Sequence, residues 1–315
     1  MQELEFYHNP VLLSECLEYL NILPEGVYAD CTLGGAGHSS AIAEKLLPEG
    51  TLHCFDRDPE AIAFASRRLE NAKPQIVFHP VPFGELGSEI EAGTLDGVLY
   101  DLGISSRQVD SSERGFTFAG NFPLDLRMDT REEKNAQDWL RETSVESMAE
   151  AFRKNADLDR SMKLANRLKI MLAEKSEAVI AEDIRGVALS VYPERRQEIP
   201  GILARIFQAI RMEVNQELNE IEKSLNACAK CLKPGGRLVV ISYHSVEDRC
   251  VKNTLALLER DCICPERLPI CACGSNHRQF KKVLRKPLVP SQKEIAENRD
   301  IRYRQGIEAP LEDHC

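Results

Sequence analysis

Three acidic side chains and one glycine-rich loop are the residues of this 315-residue chain whose types and spacing could do chemistry. Asp30-Cys31-Thr32-Leu33-Gly34-Gly35-Ala36-Gly37-His38 follows a short apolar run and precedes a helical pattern. Glycines at a strand-to-helix turn let the backbone pass close to a ligand and adopt positive φ without strain. Many nucleotide-binding turns and many plain tight turns share that pattern. Asp56 adds weight, because it ends the second apolar run about twenty residues further on. A carboxylate there can accept both ribose hydroxyls of an adenosine-type ligand; as a plain turn acid it would only open Asp56-Arg57-Asp58-Pro59.

The glycine spacing discriminates between adenosine-type ligands. A dinucleotide loop wants glycine at its first, third and sixth positions. Counted from Gly34, the third is Ala36 and the sixth is Ser39, so two of three fail. Asp30, an acid before the glycines, suits the cationic methionine end of S-adenosylmethionine better than a pyrophosphate. The turn Leu232-Lys233-Pro234-Gly235-Gly236-Arg237, before Leu238-Val239-Val240-Ile241, is habitual in methyltransferase sheets. The residues therefore predict S-adenosylmethionine over a nicotinamide cofactor.

Asp101-Leu102-Gly103-Ile104-Ser105-Ser106 closes another apolar run. A carboxylate there, with an adjacent carbonyl, can accept hydrogen bonds from an exocyclic amine, aim its lone pair and receive its proton. Asp101 could instead cap the next segment or touch only the cofactor. Ser242-Tyr243-His244-Ser245-Val246-Glu247-Asp248-Arg249 follows the last strand. Its Tyr-His pair can stack on a base, and Ser245 with Asp248 also reads as a helix N-cap.

Those residues need a scaffold that brings strand ends together. Apolar runs at 27–32, 51–55, 75–79, 97–100 and 237–242 alternate with helical patterns at 39–47 and 60–69. The alternation predicts an α/β fold: a doubly wound, mainly parallel sheet. A helical period runs through Ile206, Phe207, Ile210, Val214, Leu218, Ile221 and Leu225 and completes an ordinary crossover to the last strand. Residues 106–205 are then surplus and mostly helical in pattern, which predicts an all-helical domain inserted between strands 4 and 5. The sheet domain is expected at 1–105 and 206–315, with 106–205 as a substrate-recognition lid.

Net charge is −10, which disfavours a sequence-indifferent nucleic-acid binder but not a local basic face. Two stretches offer one, 153–169 and 278–304; a solvated surface explains them equally well. The chain shows neither a membrane span nor a basic signal segment, so a cytoplasmic location with no membrane partner is expected. The 11 cysteines read as reduced core residues. Cys262, Cys264, Cys271 and Cys273 form a C-x-C…C-x-C cluster, but zinc pairs more often have two to four residues between them. A reduced loop without metal is the expectation.

With these motifs assembled, the chain resembles the bacterial 16S rRNA (cytosine-N4)-methyltransferase family nearly end to end. The resemblance is carried by His8-Asn9-Pro10-Val11-Leu12-Leu13, residues 30–38, Asp56-Arg57-Asp58-Pro59, residues 101–106 with Gln108, and Arg114-Gly115-Phe116-Thr117-Phe118. Leu124-Asp125-Leu126-Arg127-Met128-Asp129, Phe207-Gln208-Ala209-Ile210-Arg211 with Val214-Asn215, and residues 241–249 complete it. It implies S-adenosylmethionine-dependent methylation of the exocyclic N4 of one cytosine in the decoding region of 16S rRNA, with the small ribosomal subunit as partner. The expected cofactor residues are Asp30, Gly34, Gly35, Ala36, Gly37, His38, Asp56, Phe83, Asp101 and Gln108. Catalysis is expected at Asp101, Tyr243 and His244, and substrate binding at Arg114, Arg127, Ser242 and Arg249. Similar cysteine segments occur in this family without an implied metal. The chain departs from the family at Ala36, Asn121-Phe122-Pro123, residues 199–205, the helix near 155–170 and the tail near 298–305. A shifted RNA target, or a non-catalytic RNA-binding assembly factor on the same fold, are the alternatives. A homodimer is compatible with the sequence.

Overall fold

Short apolar runs ending in acids become the strands of a single sheet. The computed structural model describes residues 10–117, 122–265, 268, 270–284 and 286–297. His8, Asn9, Phe118, Asn121, Arg285 and the tail from 298, with its basic residues, lie outside the described residues. The strands are β1 (Val27–Asp30), β2 (Thr51–Phe55), β3 (Gln75–His79), β4 (Leu95–Asp101) and β5 (Leu232–Ile241). All pair in parallel, in the order β3-β2-β1-β4-β5. The helices in chain order are α1 (Leu13–Leu20), α2 (Gly37–Lys45), α3 (Pro59–Arg68), α4 (Leu86–Glu89), α5 (Ser106–Asp110), α6 (Ala136–Glu142) and α7 (Val145–Ala156). There follow α8 (Ser161–Glu174), α9 (Ala181–Val191), α10 (Ile199–Val214), α11 (Glu217–Cys231), α12 (Ser245–Leu258) and α13 (Gln292–Glu297).

Successive strand residues face opposite sides, and both sides are apolar, as a covered parallel sheet requires. Ala29, Val98, Tyr100, Leu238 and Val240 pack with Leu86 of α4, Leu225 of α11 and Leu255 of α12. Tyr28, Leu52, Leu99, Val239 and Ile241 pack on the other side with Leu20 of α1, Ile42 of α2 and Ala65 of α3. This is the doubly wound α/β arrangement that the alternation of strands and helices predicts. The order reverses between β1 and β4, and in such sheets the crevice at the carboxyl ends beside that point takes the ligand.

The chain divides into two compact units, Met1–Gly103 with Leu218–Cys315, and Ile104–Glu217. The second has its own core, built from Leu140, Met148, Phe152, Leu168, Ile184, Ile206 and their neighbours. Here the expected boundary at 206 is corrected. The period from 206 to 225 is not one crossover helix: α10 ends at Val214, and Gln216 turns the backbone left-handed at φ 52 before α11 begins. Ile206, Phe207 and Ile210 join the helical core, whereas Ile221 and Leu225 join the sheet core. The apolar spacing stays in phase across the break, so periodicity alone fuses two helices serving different cores.

Candidate active site at the carboxyl edge of the sheet

Parallel pairing brings the ends of β1, β2, β4 and β5 to one edge, with Asp30 beside Leu99 and Asp101 beside Ile241. Asp30 is buried and satisfied from within its loop. Its Oδ2 accepts from Ser39 Oγ at 2.6 Å, and its Oδ1 accepts from Thr32 N at 3.1 Å. These bonds fix the loop and take two of the about four acceptor positions of the carboxylate. Thr32 extends the brace across the sheet: its Oγ1 accepts from Asp101 N at 2.6 Å. Neither Ser39 nor Thr32 stood out in the sequence, where only their small polar character next to the glycines hinted at this role.

The glycine loop is shaped for close approach. Gly34 has φ 47 and Ala36 φ 58, both left-handed. Alanine in that region costs ~1 kcal/mol or more, and here its methyl is fully buried in the sheet core. A Cβ on Gly37 would sit 2.5 Å from Pro10 Cγ, so only glycine lets the start of the chain lie across the loop. Gly34 N donates to Asp56 Oδ2 at 2.8 Å, and Asp58 N donates to Asp56 Oδ1 at 2.8 Å. Arg68 donates to Gly35 O at 2.8 Å. Burial pushes the Asp56 carboxyl up to about 6, against the opposing pull of these two backbone donors. A carboxylate has about four lone-pair positions, so two remain for a diol.

Tyr243 Oη donates to Asp101 Oδ1 at 2.7 Å, and His38 Nδ1 lies 3.5 Å from Oδ2, an ion pair when the imidazole is protonated on both nitrogens. His38 Nε2 is 3.0 Å from Val11 O, which can only accept, so that nitrogen carries a proton. Burial raises the Asp101 carboxyl above the usual carboxylate range, with His38 and Tyr243 pulling it back. Tyr243, buried against that acid, is raised well above the ordinary phenol value. Ser242 is buried, and its Oγ has no hydrogen-bond partner among the described residues. The cap of α12 is His244, whose Nδ1 accepts from Glu247 N at 3.3 Å, not Ser245. Its Nε2 lies 2.9 Å from Glu247 Oε1. Arg249 is exposed on α12. The Phe83 ring meets Tyr100 edge-on at 5.8 Å, and its carbonyl accepts from Ser224 Oγ at 2.7 Å.

The remaining predicted residues belong to the helical unit and brace it. Gln108 Oε1 accepts from Ser105 N at 3.2 Å, closing a capping box on α5. The buried Arg114 donates to the carbonyls of Arg127 and Met128 at 3.1 and 2.7 Å. Arg127 forms a two-pronged pair with Asp125, at 2.7 and 2.6 Å. Asn215, quoted in the sequence motifs but given no role, holds the same loop: its Oδ1 accepts from Met128 N at 2.7 Å and its Nδ2 donates to Leu126 O at 2.8 Å. Leu126 itself is left-handed at φ 60, a conformation that persists only where the surroundings over-determine it.

Known proteins share this chain over nearly its full length. It is 39% identical over 298 residues to a "ribosomal RNA small subunit methyltransferase H" from Clostridioides difficile, covering 94% of this chain and 96% of that one. A protein of the same description from Heliobacterium modesticaldum is 38% identical over 297 residues, covering 93% and 95%. One from Desulfosudis oleivorans is 36% identical over 310 residues, covering 96% and 98%. The profile of the MraW methylase family matches residues 5–305. With that match, and with a glycine loop and the carboxylates of Asp56 and Asp101 on one sheet edge, the chain belongs to the MraW methylase family.

Proposed function

We propose that the protein methylates the exocyclic N4 of a cytosine in small-subunit rRNA, using S-adenosylmethionine. The observation that carries this reading is Asp101, a half-buried carboxylate on the cofactor edge whose Oδ1 accepts from Tyr243 and whose Oδ2 faces His38. The donor set fits the cofactor: the glycine backbone at 34–37 leaves room for close approach, and Asp56 offers its remaining lone pairs to ribose. When bound, S-adenosylmethionine supplies an electrophilic methyl on a good leaving group. This chain's residues must then desolvate and aim a weakly nucleophilic amine. Asp101 accepts a hydrogen bond from the amine and takes its proton as positive charge develops on nitrogen. Ser242 Oγ gains its missing partner from the base edge, and Tyr243 and His244 shape the pocket wall. The cytosine must leave its stack, at a cost of a few kcal/mol offset by such contacts.

The helical unit is the proposed substrate reader, and Arg114, Arg127 and Asn215 act in it as positioning residues for the 125–129 loop. On the exposed face of α8, Lys163 and Arg167 lie beside the exposed Met162 and Ile170. A mixed basic and apolar face of this kind suits RNA held within a ribonucleoprotein particle. Among the described residues no helix is long and apolar enough to cross a membrane.

Labelled methyl groups offered to small subunits from cells lacking the modification test the proposal. Label recovered as N4-methylcytidine is expected. Label at carbon 5 or on ribosomal protein would sink it. Absence of S-adenosylmethionine binding by calorimetry would favour an assembly factor instead.

A further inference from the structure

Away from the sheet edge, one group of metal-ligating side chains converges among the described residues. Cys262, Cys264, Cys271 and Cys273 follow α12, and their sulfur atoms all lie within 4.8 Å of one another. Cys271 Sγ is 3.5 Å from both Cys262 Sγ and Cys273 Sγ, and Cys273 Sγ is 3.6 Å from Cys262 Sγ. Bonded sulfurs would be about 2.05 Å apart, and all four are free thiols. Four thiolates around zinc at ~2.3 Å on a tetrahedron lie about 3.8 Å from one another. The observed spacing matches ligands of one shared ion rather than two bridges.

Ala272 N donates to Cys264 Sγ at 3.2 Å, the kind of backbone contact that stabilises a metal-bound thiolate. The loop also needs a link of this sort. Its side chains Ile263, Leu268 and Ile270 are 62%, 46% and 80% exposed, so apolar burial does not hold it. Among the described residues its base is fastened where His277 N donates to Asp261 O at 3.0 Å, Gln279 N donates to Leu258 O at 2.8 Å and Phe280 is buried. Beyond Cys273, Gly274, Ser275 and Asn276 take positive φ in succession, giving the sharp turn that ends the second cysteine pair.

We propose that Cys262, Cys264, Cys271 and Cys273 bind one zinc ion as a structural tetrathiolate site that fixes the 261–277 loop. This departs from the reduced, metal-free loop that the C-x-C spacing suggested. That spacing is tight within each pair, but the two pairs face each other and together supply four corners. Soft sulfur ligands in a closed tetrahedral set select zinc over hard cations. Each coordinating thiol gives its proton to solvent, and no electron changes hands.

Untagged full-length protein, purified under reducing conditions and loaded with zinc, is expected to retain about one zinc per chain after desalting. The double variant Cys271→Ser/Cys273→Ser should lose it, whereas Cys264→His, which keeps a zinc donor, and Cys250→Ser, in the core, should keep it. If the double variant folds poorly, cobalt added to chelator-stripped native protein decides independently, through the thiolate charge-transfer bands of a four-sulfur tetrahedral site. Zinc retained equally by the double variant, no zinc on the native chain, cobalt spectra without sulfur bands, or disulfides in the reduced preparation would each overturn the proposal.

Discussion

The proposed reaction makes two demands on Asp101: it must stay ready to take a proton, and it must not wander. Burial serves the first by raising its carboxyl, and Tyr243 and His38 serve the second. Asp101→Asn keeps the shape but cannot take the proton, so kcat should fall ~10²–10⁴-fold while S-adenosylmethionine affinity changes far less. Single-turnover rates set against calorimetric Kd values check this. Tyr243→Phe removes only the donor to Oδ1 and should lower kcat about tenfold. Asp56 makes a prediction of a different kind. Its carboxyl titrates at about 6, pushed up by burial. Above that pH it is ionised, the state in which the proposed site would accept ribose hydroxyls; as pH falls through it the acid becomes neutral and loses acceptor strength. Cofactor affinity should therefore be level above about pH 6 and drop at most about tenfold per unit below it. The same titration on Asp56→Asn should be flat and uniformly weaker.

The 125–129 loop of the helical unit holds Leu126 left-handed at φ 60, gripped by Arg114 on one side and Asn215 on the other. Asn215→Ala would leave Met128 N and Leu126 O without their partners, which should cost about 1–3 kcal/mol of stability. A lowered denaturant midpoint with an unchanged slope would show it. Gly115 is the tighter constraint. At φ +72, a Cβ there would lie 2.7 Å from Pro123 O and 2.9 Å from Asp125 N, both backbone atoms. Gly115→Ala should therefore destabilise by ~2 kcal/mol or more and lower the melting temperature. Little of this loop was legible in the sequence. Strands were, because a buried parallel strand is an apolar run and its end is marked by an acid, as at Asp30, Asp56 and Asp101. Asn215, by contrast, looks like any residue after a helix. Its contacts lie 87 and 89 residues away, where no local pattern reaches. The α10–α11 break was hidden because Val214 and Leu218 keep the helical spacing across it. The four cysteines were visible, but their convergence depends on a turn that the spacing does not declare.

Across the whole molecule, two cores rather than one hold the chain. Because Ile104–Glu217 has its own apolar centre, a fragment with those ends should fold alone, with helical circular dichroism and a cooperative melt. A molten trace would refute that independence. If α8 faces RNA, Lys163→Ala/Arg167→Ala should raise the KM for small subunits, leave kcat unchanged and flatten its salt dependence. The sheet unit offers a further consequence at its edge. Pro10 lies against Gly37, Val11 O meets His38, and Leu12 N donates to Glu294 of α13 at 2.7 Å. Residues 10–12 thus brace the glycine loop and are themselves tied to α13. Linkage is reciprocal, so whatever tightens the loop also secures that segment. A protease nick close to Val11 becomes a gauge of cofactor occupancy, slowing as the site fills.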